Sequence, residues 1–140
     1  MKGRDSVQWL LYVHLVLAIA LMGGTLTLSI MTFRARPSGA VPASVWTGLT
    51  HVDRLVGLQA VVGVVLYFTV GHAKDPLHYL YGAILLLAVV AEQAMRPGRG
   101  LRDVLTQDYG RFNEPLVYAI LTLVMFLLAA RGFTTGLWGF

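Results

Sequence analysis

Three histidines, His14, His72 and His78, fall near one end of what read as membrane-spanning helices. Imidazole is the side chain that most readily binds metal ions and haem iron near neutral pH. Ionisable groups are expensive in lipid, so at membrane depth they usually serve a function. Two imidazoles from different helices are an ordinary way for a membrane bundle to hold a b-type haem. His14 and His78 form the best-placed pair, with His72 as a substitute ligand or a propionate partner. Arg4, Lys74 and Arg131 lie near the same surface and could pair with propionates. The chain has no cysteine, so disulfides, thiolate metal sites, iron–sulfur clusters and covalent haem attachment are excluded.

Each histidine also has a plainer reading. His72 and His78 flank the polar turn "HAKDP", where an imidazole can simply meet water or headgroups. His14 interrupts "WLLYVHLVLAIAL" well inside an apolar run, where the plain alternative is a single interhelical hydrogen bond. For His78 the helical pattern adds weight. His78, Gly82, Leu85, Val89 and Glu92 recur at spacings of four, three, four and three, which puts them on one stripe. A stripe holding His and Glu should face the bundle interior. Gly82, one turn below His78, would leave space beside the imidazole for a flat cofactor.

A second constellation gathers at the opposite end. His51, Asp53 and Arg54 open the second apolar run, Glu92 and Gln93 close the third, and Asn113 and Glu114 precede the fourth. An unpaired carboxylate at the depth of Glu92 is costly, and Arg54 or His51 is its expected partner. Such a cluster could pass protons, bind a quinone head group or hold a divalent metal. Its structural alternative is a salt-bridged latch between helices. Tyr118, one turn from Glu114, could extend the network.

These residues need four membrane helices to position them. With 56% hydrophobic and 13% charged residues, the 140-residue chain is not an ordinary soluble domain. No charge lies between Asp5 and Arg34, Arg54 and Lys74, Asp75 and Glu92, or Glu114 and Arg131. Each gap approaches or exceeds the roughly 20 residues of a spanning helix. The expected helices cover about 7–33, 50–71, 76–95 and 115–132, with Ser6 capping the first, and Asp75 and Pro76 opening the third. Short connections predict an all-α, up-down-up-down integral membrane four-helix bundle with both termini on one side. Ala18, Gly23, Gly24, Gly57, Gly63 and Gly82 permit close helix approach. The first apolar run is too long for a signal-peptide core and lacks a clear cleavage site.

The net charge of +4 does not point to nucleic acid, because the basic residues sit in loops flanking apolar spans. Arg34, Arg36, Arg54, Arg96, Arg99, Arg102 and Arg111 fall on the side of loops 1 and 3, against Lys2, Arg4, Lys74 and Arg131 on the other. The positive-inside rule therefore predicts loops 1 and 3 in the cytoplasm of a bacterial cell, with both termini outside. Trp9, Tyr12, Trp46, Tyr79, Tyr81, Tyr109, Trp138 and Phe140 sit near the expected interfaces, as an aromatic belt would. No Ser/His/Asp arrangement, phosphate loop or HExxH motif is present, so hydrolase and nucleotide-driven functions have no support.

The run "VHLVLAIALMGGTLTL", a histidine followed by a Gly-Gly pair, is similar to the first helix of copper-resistance-D-like membrane proteins, and "RLVGLQAVVGVVLYFTVG" adds to the likeness. "HVDRLVG" and "HYLYG" resemble the histidine-helix openings of haem A synthase and b-type cytochromes. Both resemblances imply haem or copper handling at the membrane. The leading expectation is a small membrane protein binding haem b through His14 and His78, for electron transfer or for haem or copper handling in a respiratory setting. A non-catalytic accessory subunit of a larger membrane complex and an oligomeric transporter with Glu92 in its pathway are the alternatives. The expected partners are lipid and other membrane proteins or copies of the chain.

Overall fold

The computed structural model describes the backbone of residues 2–109 and 113–137, and side chains over 8–107 and 113–137. Expectations resting on Arg111, Trp138 and Phe140, and on the side chains of Lys2, Arg4, Ser6 and Tyr109, lie outside the described residues. Five helices make up the described chain: α1 (Lys2–Arg34), α2 (Ala43–Thr69), α3 (Leu77–Ala94), α4 (Gly100–Tyr109) and α5 (Glu114–Leu137). Four of them, all but α4, are long and apolar enough to cross a membrane. They form the expected all-helical four-helix bundle.

Several boundaries differ from the sequence expectation. The backbone is already helical at Lys2, so Ser6 lies inside α1 and is not its cap. Helix α2 begins at Ala43 rather than near Thr50, because Val45 and Leu49 continue the apolar face of Val52 and Val56 at spacings of four, three and four. Both are fully buried, which holds the extra two turns helical. Between α1 and α2 a short 3₁₀ turn, Arg36–Ser38, ends at Gly39, whose φ of 70° favours glycine. The segment 100–109, read as part of the longest polar stretch, is helical, with Leu101, Val104 and Leu105 on one face. Helix α5 runs on to Leu137, five residues past its expected end at Gly132.

The turn into α3 is built as the sequence implied. Asp75 Oδ1 accepts from the Leu77 N–H at 2.9 Å, immediately before the helix. Ala73 N–H donates to the Tyr79 hydroxyl at 2.6 Å, which ties the turn to the first turn of α3.

Helices α1 and α5 form the central seam. Helix α2 packs on α1, α3 packs on α5, and α2 and α3 meet over few residues. Across the seam Ser29 Oγ donates to the Ala119 carbonyl at 2.9 Å. The buried hydroxyls Thr25 and Thr122 donate to carbonyls four residues back, Leu21 at 2.8 Å and Tyr118 at 2.7 Å. A threonine can be buried here because its own helix supplies the acceptor. Leu21, Leu28, Val45, Leu49, Val52, Val56, Leu85, Tyr118 and Met125 fill the interior. Large apolar side chains also cover the outside, Phe68 being 79% exposed and Leu87 66%, as lipid contact requires.

The tightest approach lies between α1 and α2. A Cβ added at Gly48 would sit 2.5 Å from Leu28 Cδ2, and one at Gly24 would sit 3.2 Å from Val52 Cγ2. Leu28 and Val52 are both buried and cannot swing into solvent. Gly48→Ala should therefore destabilise the bundle by about 1–3 kcal/mol through overpacking. Gly23→Ala, whose Cβ would meet nothing within 4 Å, should be neutral or slightly stabilising. Thermal unfolding in detergent, followed by circular dichroism, distinguishes the two.

Candidate functional site

At the end that carries the histidines a cavity of about 800 Å³ opens among α1, α2, α3 and α5. That volume is within the range of small-molecule and cofactor sites. His14 from α1 and His78 from α3 both line it, with ring centroids 6.1 Å apart and planes inclined at 59°. The remaining wall is mainly apolar, including Leu11, Leu15, Leu86 and Phe133.

Glycines let the rings lie close against neighbouring helices. A Cβ at Gly63 would stand 3.4 Å from His14 Cε1, and one at Gly136 would stand 3.1 Å from His78 Cε1. Gly82 has a different part. A Cβ there would meet nothing within 4 Å, and the residue faces the open volume beside His78.

Hydrogen bonding gives the two imidazoles different states. His78 Nδ1 lies 2.9 Å from the Gly132 carbonyl oxygen. A carbonyl only accepts, so Nδ1 carries the proton and Nε2 keeps its lone pair. His14 Nε2 lies 3.2 Å from the Gln59 side-chain nitrogen, while His14 Nδ1 and Gln59 Oε1 are buried without partners. Rotating the Gln59 amide by half a turn lets Oε1 accept from Nε2–H, which leaves a lone pair at Nδ1. Each ring thus keeps one nitrogen that no described protein group uses. Sequence reasoning missed Gln59, although it lies on the second apolar run as a lone amide among aliphatic residues.

His72 is not part of this arrangement. It is exposed, its ring packs 4.4 Å from that of Tyr67, and it does not line the cavity. Lys74 and Arg131 are exposed on the same end, and neither forms an ion pair among the described residues.

At the opposite end Arg96 organises the charged residues. Its Nε donates to both oxygens of Glu92, at 2.9 and 3.2 Å. Nη1 donates to Thr50 Oγ1 at 3.0 Å, and Nη2 donates to Asp53 Oδ2 at 2.8 Å. Gln93 also donates to Asp53 Oδ2. Glu92 is fully buried. The expected partners, His51 and Arg54, are both exposed and take no part in this cluster. Each helical residue turns by about 100°, so the register that points Thr50 and Asp53 at α3 points their neighbours away. Arg96 was read only as a loop cation, yet the Glu92–Arg96 spacing of four is a helix ion-pair signal.

Glu114 belongs elsewhere, paired with Arg102 of α4. Tyr118 is buried with its hydroxyl unpartnered, its ring meeting Trp46 edge-on at 4.9 Å. No group of three or more His, Asp or Glu side chains among the described residues is arranged to hold a metal ion, so the four carboxylate and imidazole groups expected together here do not form one.

Removing the guanidinium leaves two buried carboxylates without their cation. Arg96→Ala should cost about 3–5 kcal/mol, whereas Arg54→Ala and His51→Ala should stay within about 0.5 kcal/mol of the parent. Equilibrium unfolding in mixed micelles provides the comparison. No known protein family, curated protein or solved structure matches the chain.

Proposed function

We propose that the cavity binds a b-type haem, with His14 and His78 as axial ligands, and that the protein carries electrons or handles haem at a bacterial cytoplasmic membrane, in a respiratory setting. The observation that supports this is that both rings, 6.1 Å apart, line one large, mainly apolar cavity. His14 and His78 would hold the iron, each through a ring nitrogen that no described protein group uses, and the cavity has room for a flat macrocycle, so the residues suit the group.

Bound there, haem would supply one-electron chemistry. The protein's part is to hold and tune it. His78, with Nδ1–H given to the Gly132 carbonyl, has a fixed tautomer and a more basic Nε2. Gln59 orients His14 from α2. Gly82 leaves the macrocycle room, and the aliphatic wall keeps water from it. Lys74 and Arg131 sit at the end where propionates would emerge.

Copper handling fits less well, because the cavity far exceeds an ion and its lining among the described residues has no methionine or carboxylate to complete a ligand set. A transport pathway through Glu92 is disfavoured by that residue's full burial and double contact with Arg96. An accessory or assembly role has no observation of its own. The excess of arginine around loops 1 and 3 favours that end as the cytoplasmic one.

Protein purified from haem-supplied cells should show a Soret band and a sharp reduced α-band. His14→Ala and His78→Ala should each abolish or broaden the low-spin spectrum, while His51→Ala and His72→Ala retain it. Gly136→Ala should weaken it by displacing His78. A colourless wild-type preparation that takes up no added haem would sink the proposal.

A further inference from the structure

The charge balance of the Arg96 cluster leads beyond the histidine cavity. Glu92 and Asp53 share one guanidinium, so with both ionised the cluster carries one uncompensated negative charge. Glu92 is fully buried and the Asp53 side chain is 9% exposed. Water cannot screen that charge well at such depth, and the least costly remedy is a bound proton.

Among the described residues the surroundings offer no second cation, Arg99 being exposed. On α2, Thr50 contributes a hydroxyl, and His51 and Arg54 are turned outward. On α3, Gln93 is neutral and already donates to Asp53 Oδ2. On α5, Tyr118 contributes a phenol, and Glu114 is matched by Arg102 of α4. On α1, Arg34 is exposed and the buried polar groups Thr25, Ser29 and Thr32 are hydroxyls.

Two buried polar atoms at this end lack a partner. Asp53 Oδ1 has no hydrogen-bond partner, although Oδ2 of the same carboxylate has two. The Tyr118 hydroxyl, 1% exposed, is likewise unpartnered. A second, shallow cavity of about 360 Å³, lined by Trp46, Thr47, Thr50, Arg96 and Pro97, brings the surface of this end to Arg96 and Thr50.

We infer that the Asp53–Glu92–Arg96 cluster is a site for one exchangeable proton, supplied by water through the Trp46–Pro97 cavity. In the binding step hydronium gives its proton to the carboxylate pair. One O–H bond breaks, another forms, and neutral water is left; release reverses the step. The site stands apart from the histidine cavity and does not require a cofactor there.

Infrared titration of the full chain in a carbonyl-free detergent tests it. Wild type should show one protonated-carboxyl stretch near neutral pH, shifted in heavy water and lost at alkaline pH with release of one proton per chain. Asp53→Asn and Glu92→Gln should each remove the stretch, because the remaining carboxylate then matches Arg96 one to one. Both substitutions preserve shape, and circular dichroism confirms that the variants are folded. Absence of the stretch from wild type at every pH, or its survival in both folded variants, would overturn the inference.

Discussion

Everything else in the bundle depends on how a fully buried carboxylate is kept in company. Glu92 cannot stand alone at its depth, and Arg96, four residues on and just past the end of α3, answers it. Arg96 has donors left over, and α2 provides acceptors for them in Thr50 and Asp53. The same guanidinium that satisfies α3 therefore clasps α2. α2 and α3 meet over few residues, and the histidine cavity lies among them and the α1–α5 seam.

Within the cavity the two imidazoles are prepared differently. One is locked by a backbone carbonyl, which no substitution can remove without moving a helix. The other is held by an amide side chain, which can rotate or be replaced. Glycines stand where the rings need backbone to lean on, and another where open volume is needed. The same residue type thus serves close approach at Gly63 and Gly136 and vacancy at Gly82.

Much of this could be read from the chain. The gaps between charges gave the four long helices, since length and apolarity alone decide that question. The His78–Glu92 stripe picked out the inward side of α3, where Leu85 and Glu92 are buried and His78 lines the cavity, and Asp75 and Pro76 marked its start. Three features were hidden for physical reasons. The early start of α2 depends on burial of Val45 and Leu49 against partners distant in sequence. The pairing of Glu92 with Arg96 crosses the end of α3, since Arg96 lies just past Ala94, although the spacing of four was in plain view. The roles of Gln59 and Gly136 come from contacts across helices, and no local pattern announces them. Grouping His51, Asp53 and Arg54 as one unit overlooked the turn per residue, which sends adjacent side chains in different directions.

The α1–α5 seam also bears on how the molecule comes to exist. Among the described helices α1 leaves the ribosome before the others and packs on α5, which follows them, so the interior stays open until α5 is in place. Gly132 and Gly136, which brace His78, belong to α5. Until α5 docks, His78 has no carbonyl to orient it and the cavity has no back wall. Any occupant of the cavity is therefore held only once α5 has docked, and a chain lacking α5 would lose the cavity even though both histidines were already made.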